Sequence, residues 1–227
     1  MHIEPGIVHG AKMALAVVTA TGSAGLILKM ARDTIRNQGG PGALILRSAL
    51  ATALTFCFFQ VLPHYPVGIS EVHLILGTTL YLLLGAGPAA IGLALGLLIQ
   101  GLAFAPTDLP MYMVNVTTLI VPLWGISALA KRIIPRETAY VDVTYRQALA
   151  LSASYQGGIV AWVAFWALYG QGFGAENLGA ITSFGAAYML VVVIEPLADL
   201  AVLAAAKSLR GRPGNPIAQP RLYHPIA

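Results

Sequence analysis

The chain has 227 residues, of which 57% are apolar and 10% charged, and its mean hydropathy is +0.76. Soluble domains average about 25% charged residues, so this composition excludes an ordinary soluble globule and a disordered chain. The net charge of +4 comes from basic residues that lie between apolar runs, without the interleaved aromatic residues of a nucleic-acid interface. We therefore predict no nucleic-acid partner.

Seven apolar runs predict an all-α integral membrane protein, a bundle of about seven transmembrane helices with short loops. The runs cover residues 10–30, 43–62, 72–85, 88–105, 110–130, 145–169 and 179–206. The third and fourth runs separate at residues 85–88, Gly-Ala-Gly-Pro, because glycine and proline together mark a tight turn. The third run is short, and we expect neighbouring helices to shield it.

The basic residues predict the orientation of the bundle. In the seven-span arrangement, every Lys and Arg except Lys12 falls on one side. Cytoplasmic loops of membrane proteins collect Lys and Arg, so we expect the N-terminus outside and the C-terminus in the cytoplasm. Residues 207–227, rich in proline, are expected to form an extended cytoplasmic tail.

The first two residues have the chemistry of a metal chelate. No Lys or Arg precedes the first apolar run within residues 1–6, so we expect no cleaved signal peptide. We also expect Met1 to be retained, because His2 is too bulky for routine removal of the initiator methionine. The amine of Met1, the amide nitrogen of His2 and its Nδ1 can then bind one ion as three nitrogen donors in a plane. A fourth imidazole would complete a square, which suits Ni(II) and Cu(II), and low-spin Co(II) can also adopt it. The alternative is a frayed terminus.

His73 is a candidate for the fourth donor because it opens an apolar run, where ionisable residues are often functional. The alternative is an interfacial histidine that only forms hydrogen bonds. His9 and His64, also assigned to the outer side, are interpreted as surface residues.

Four segments of the chain resemble the CbiM/NikM family, the substrate-binding components of energy-coupling-factor (ECF) transporters for cobalt and nickel. The opening Met-His-Ile-Glu-Pro-Gly of residues 1–6 is similar to the family's Met-His-Ile start, although the family often has Pro-Asp-Gly or Met-Glu-Gly after it. Residues 68–77, residues 96–104 with Asn115, and Glu195 agree as well, while residues 105–110 depart from the family's glycine-rich stretch. The resemblance extends to about residue 206.

The resemblance implies that the N-terminal segment, residues 1–9, folds back into a single membrane domain of residues 1–206 and binds the metal. The amine of Met1, the amide and side chain of His2, and the side chain of His73 would hold the ion. Gln100, Asn115 and Glu71 would orient the imidazoles through hydrogen bonds. For Gln100 and Asn115, polar contacts between helices are the alternative.

Two further features have less direct interpretations. Glu195, about 24 Å along the last apolar run, lies too deep to touch an outer metal. With Pro196 and Asp199 it predicts a kink or a partner-coupling feature near the cytoplasmic face, and a proton relay is the alternative. Small residues at four-residue spacing in the first run would allow the coupling subunit to pack closely: Ala16, Ala20 and Ala24.

The sequence thus predicts a transport subunit for Co(II) or Ni(II), with a preference for cobalt that rests on the family alone. The chain contains no Walker motif, so we expect ATP to be hydrolysed by other subunits. As a transport subunit it is expected to have no enzyme activity and no prosthetic group. The resemblance implies a transmembrane coupling (T) subunit, two ATPase subunits, a small CbiN-like accessory protein and a location in the lipid of the bacterial inner membrane. One alternative is a stand-alone proton-coupled metal transporter that uses Glu195 and Asp199. Another is an intramembrane hydrolase, for which no GxSxG motif is present.

Overall fold

The computed structural model describes residues 2–209 and 217–225. In these ranges the chain forms seven α-helices and one two-stranded antiparallel sheet. The helices are α1 (Met13–Asn37), α2 (Gly40–Gln60), α3 (Gly77–Leu84), α4 (Ala86–Ala103), α5 (Tyr112–Ile133), α6 (Tyr145–Gln171) and α7 (Ala175–Ser208). The strands are β1 (Tyr65–Val67) and β2 (Ser70–Val72), and short 3₁₀ turns cover Gly10–Lys12, Pro106–Met111, Tyr140–Asp142 and Pro220–Leu222.

Six of the seven helices are long and apolar enough to cross a membrane, and α3 is the exception. The chain is therefore a multi-pass membrane protein, and the predicted all-α class is confirmed. α4 and α5 have most of their surface buried, so they form the centre of the bundle. α1 and α2 leave most of their surface facing outward.

The third predicted span, residues 72–85, is not one continuous helix. Strand β2 and a non-helical stretch at residues 73–76 take up its first part, and α3 adds eight residues, about 12 Å of helix. Every residue of α3 except Leu83 is buried, which confirms that neighbouring helices shield it. An extended chain rises more than twice as far per residue as a helix, so this short segment still passes through the bundle.

The bundle has two distinct ends. The N-terminal residues, the β1–β2 hairpin and the 3₁₀ turn at Pro106–Met111 lie at one end. The end of α1, the α3–α4 junction, the end of α5 and residues 219–221 meet at the other. The predicted tail, residues 207–227, is not extended in its described part: α7 continues to Ser208, and Gln219 and Leu222 are buried against the bundle.

Candidate metal site

The N-terminal segment pairs with the hairpin as a short third strand. Ile3 forms a bridge with Ser70, the amide of Glu4 donates to the carbonyl of Ile69, and the amide of Glu71 donates to the carbonyl of His2, each at 3.0 Å. The hydroxyl of Ser70 also donates to the His2 carbonyl at 2.9 Å. These bonds bring residue 2 beside residues 70–73, so the segment folds back into the bundle as the resemblance implies.

Apolar burial and two close backbone contacts hold this arrangement in place. The side chains of Ile3, Ile7 and Val8 are buried in the core. Gly170 of α6 lies so near the N-terminal segment that a Cβ there would come within 2.0 Å of the Ile7 carbonyl oxygen. Gly68, in the hairpin turn, has a φ of +63° and would place a Cβ 2.2 Å from the Ala180 carbonyl oxygen. A glycine is required at both positions for the hairpin and the segment to approach the helices.

Three side chains converge at the mouth of the bundle: His2, Glu71 and His73. The Nδ1 of His2 and the Nε2 of His73 each lie 2.9 Å from the same carboxylate oxygen, Oε2 of Glu71. One ligand atom from each residue lies within 4.8 Å of the other two, which is close enough for one metal ion to reach all three. Both histidines are buried, and Glu71 is partly open to solvent.

Aromatic rings fix the planes of the two imidazoles. Phe59, near the end of α2, makes edge contacts with both rings, with centroids 5.9 Å from His2 and 5.3 Å from His73. His64 stacks on His73 at 4.9 Å and 12°. His64, interpreted from the sequence as a surface residue, is therefore only half exposed and is part of the wall of the site.

The electrostatics of the cluster favour neutral imidazoles beside an ionised carboxylate. Burial lowers the pKa of His2 and of His73 below the ordinary value of 6.5. The hydrogen bonds from His2 and His73 hold the pKa of the Glu71 carboxyl well below its usual range. Neutral imidazoles and ionised carboxylates are the forms that bind metal ions.

Asn115 and Gln100, both predicted to orient the imidazoles, are buried but have different contacts. The Oδ1 of Asn115 accepts the backbone amide of Ile3 at 3.0 Å, so Asn115 holds the N-terminal segment rather than an imidazole ring. Gln100 contacts Gln60 at 3.5 Å and forms no hydrogen bond with either histidine. Of the three predicted orienting residues, Glu71 is the one hydrogen-bonded to the rings. Met1 lies outside the described residues.

Glu195 lies in the middle of the bundle rather than near its far end. Its Oε1 accepts the backbone amides of Ile75 and Leu76, both at 2.9 Å, and its Oε2 accepts the side chain of Gln156. Along α7, which has 34 residues, Glu195 lies about 30 Å from the first residue and about 20 Å from the last. No hydrogen bond joins Glu195 to His2, Glu71 or His73 among the described residues.

The predicted small-residue row on α1 does not form one exposed face. Ala16 is fully buried within the chain, Ala20 is half-buried, and Ala24 is exposed. Residues four apart on an α-helix are rotated by about 40°, so the row turns away from the core along the helix. Ala24, and in part Ala20, remain open for contact with another subunit.

Sequence reasoning missed Phe59, Ser70 and the anchoring contacts of Glu195. Phe59 stands in an apolar run where any large side chain fits the pattern. Ser70 lies within residues 68–77, which resemble the family, and the resemblance assigns it no role. The one available signal was the run Ser70-Glu71-Val72-His73, in which alternate residues share a face if the chain is extended. Glu71 and His73 are such a pair.

Comparisons with known proteins agree with this architecture. The family model of CbiM, described as the cobalt uptake substrate-specific transmembrane region, matches residues 2–212. A solved structure described as a truncated transition metal transporter is 16% identical and superposes with a TM-score of 0.63, covering 92% of this chain and 97% of that one. No curated protein sequence gives a significant match. The structural likeness shows the fold alone, whereas the family model spans nearly the whole chain. The chain therefore belongs to the CbiM family and is a membrane component of cobalt or nickel uptake.

Proposed function

We propose that the chain captures Co(II) or Ni(II) at the mouth of the bundle through the Nδ1 of His2 and the Nε2 of His73. The observation that carries this proposal is that these two nitrogen atoms point at one oxygen atom, Oε2 of Glu71. In this proposal the amine of Met1 and the amide nitrogen of His2 supply the other two corners of a square. Nitrogen donors in a plane favour Ni(II) and low-spin Co(II) over Mg(II) or Ca(II).

Glu71 balances charge in this proposal. A divalent ion bound by a deprotonated amide keeps one positive charge, and an adjacent carboxylate neutralises it. The same carboxylate accepts hydrogen bonds from both imidazole rings and holds them in place. Metal binding would move each ring hydrogen to the other ring nitrogen, Nε2 of His2 and Nδ1 of His73, and would release protons from the amine and the amide to solvent. The ring positions are set before binding, so little ordering of side chains is left for that step.

Transport requires partners, and we infer an ECF-type assembly with a T subunit, two ATPase subunits and a small CbiN-like protein. The support is membership of the family and the outward face of α1, where Val18 and Leu28 are about two-thirds exposed. We place the assembly in a bacterial inner membrane with the metal site outside. The preference for cobalt rests on the description of the family.

The proton-coupled alternative is not favoured by the contacts of its two carboxylates. Glu195 accepts two backbone amides and one side-chain amide, and Asp199 accepts the hydroxyl of Thr79. Such contacts are typical of groups that fix the backbone of a buried segment. A hydrolase would need a nucleophile beside His73, whose described partner is a carboxylate.

Metal analysis of purified protein tests the terminal chelate. His2→Ala, and separately a Met-Lys-Gln extension added before Met1, should each reduce bound Co(II) or Ni(II) by about tenfold or more. The extension keeps every side chain but converts the amine of Met1 into a peptide amide, so the free amine can no longer join the chelate. His9→Ala removes an exposed histidine of the same segment and should retain the metal in full. Full retention by the extension variant would refute the role of the amine, and full retention by His2→Ala would refute the site.

A further inference from the structure

We propose that the end of the bundle opposite the metal site binds the phosphate headgroup of an anionic phospholipid. A cavity of about 560 Å³ lies there between the last turns of α1 and α5, the start of α4 and the turn at Pro220–Leu222. That volume is within the range of pockets that hold small organic ligands, roughly 300–1,000 Å³. The cavity is separate from the metal site and shares no lining residue with it.

The lining of the cavity is strongly cationic. Four basic side chains face it, Lys29, Lys131, Arg132 and Arg221, against the single carboxylate of Asp33. Within residues 2–209 and 217–225, Lys29, Lys131 and Arg132 form no salt bridge. An excess of three positive charges in one concave surface attracts an anion.

Arg221 supplies an independent reason to expect an anion, because it is a buried cation with only neutral partners. Its side chain is 8% exposed, and its guanidinium donates to the carbonyls of Ile134 and Pro135 and to the hydroxyl of Tyr140. It also lies 4.7 Å from the Tyr140 ring, and its Nε atom has no hydrogen-bond partner in the described part of the chain. Buried charges in proteins are normally paired, and the cavity beside Arg221 is where a counter-charge fits.

The apolar part of the cavity indicates a lipid rather than a soluble phosphate. Met30, Ala86, Trp124 and Ala128 share the lining with the basic residues. Trp124 is 41% exposed and precedes Lys131 by two turns of α5, which places it about 10 Å deeper along a membrane-spanning helix. Cations at the helix end with an apolar wall below them match a phosphate headgroup and its attached acyl chain. Basic pockets between transmembrane helices bind anionic lipids in this way.

Lipid titration of the full-length protein in neutral detergent tests this proposal. Native mass spectrometry counts bound phosphatidylglycerol, phosphatidylcholine with the same acyl chains, or sn-glycerol 3-phosphate. We expect one phosphatidylglycerol to bind about tenfold or more tightly than phosphatidylcholine. A large excess of sn-glycerol 3-phosphate should not displace it, because the acyl chain contributes to binding. Metal content should stay unchanged in every sample, since the two sites lie at opposite ends.

Two double variants separate a built site from general surface charge. Lys131→Gln with Arg132→Gln removes two exposed cavity charges and should weaken phosphatidylglycerol binding about tenfold or more. Arg136→Gln with Arg146→Gln removes two exposed charges that do not line the cavity and should leave binding unchanged. Equal weakening in both double variants, equal affinity for the two lipids, or no bound lipid would overturn the proposal. Displacement of the lipid by sn-glycerol 3-phosphate would also overturn it, because the cavity would then bind a soluble phosphate ester and not a lipid.

Discussion

One carboxylate oxygen organises the candidate metal site. Oε2 of Glu71 accepts from both His2 and His73, although these residues lie 71 positions apart in the chain. The backbone of Glu71 is held independently, since its amide donates to the carbonyl of His2. The side chain can therefore be changed while the N-terminal segment keeps its pairing with the hairpin.

Replacing Glu71 by glutamine should weaken binding of Co(II) or Ni(II) by about 10–100-fold while the protein still folds. The amide of glutamine carries no charge, so it cannot neutralise the metal complex, and its oxygen is a weaker acceptor for the two imidazole N–H groups than a carboxylate oxygen. Competition titration against a metal-sensitive dye measures the affinity. Thermal unfolding without metal checks that the fold is retained.

Glu4→Gln is the matched control for that variant. It removes the same charge from a residue of the same end, whose side chain forms no hydrogen bond or ion pair within the described ranges. Its metal affinity should equal that of the unchanged protein. If Glu71→Gln also binds with unchanged affinity, Glu71 neither orients the imidazoles nor balances the charge.

At the residue scale, the candidate ligands could be predicted because metal chemistry is carried by residue type. His2 and His73 stand out in a chain with few polar residues, and the structure brings them together. The contacts of Phe59 and Asn115 could not be predicted in the same way. They depend on how α2 and α5 pack against the N-terminal segment, which no local pattern records.

At the level of elements, the third crossing shows where periodicity stops being informative. Residues 72–85 are apolar, so a helix and a buried extended chain fit the pattern equally well. The non-helical conformation of residues 75 and 76 is stabilised by Glu195, about 120 positions away, which accepts the amides of Ile75 and Leu76. Those amides would otherwise be buried without partners, at a cost of about 1–3 kcal/mol each.

Glu195→Gln should destabilise the protein by about 1–3 kcal/mol, because it sets an amide NH₂ group against the NH₂ group of Gln156. The swap that combines Glu195→Gln with Gln156→Glu restores one donor and one acceptor and should recover most of the loss. Thermal unfolding of the three proteins measures the effect. If Glu195 relayed protons, the swap would instead abolish metal uptake although it restores stability.

At the scale of the whole molecule, the two ends differ in charge and in chemistry. The candidate metal site lies at the end with the hairpin, while Lys29, Lys131 and Arg132 lie at the other end, around the cavity proposed to bind lipid. The sequence predicted this separation because charge placement follows the membrane and needs no knowledge of packing. The inserted tail turn at Pro220–Leu222 could not be predicted, since its contact with α3 depends on Gln219 donating to the carbonyls of Tyr81 and Leu82.

The charge difference predicts which end faces outward, and labelling of single cysteines measures it. Cys57→Ser removes the only natural thiol and provides the background. In that background Tyr65→Cys, an exposed position of β1, should react with a membrane-impermeant maleimide on intact cells. Arg136→Cys, exposed beyond the end of α5, should react only after the membrane is permeabilised.

The background variant alone should remain unlabelled. The reverse labelling pattern would place the hairpin and His2 in the cytoplasm. A site that opens to the cytoplasm could not capture an ion from outside, so that result would contradict uptake through this site even if the chelate itself were intact.

The expected labelling pattern would instead leave the bound metal at the outer end of the bundle, one bundle length away from the cytoplasm that receives it. Release then requires a movement of the third crossing or of the whole chain, and partner subunits are the source of energy for such a movement in our proposal.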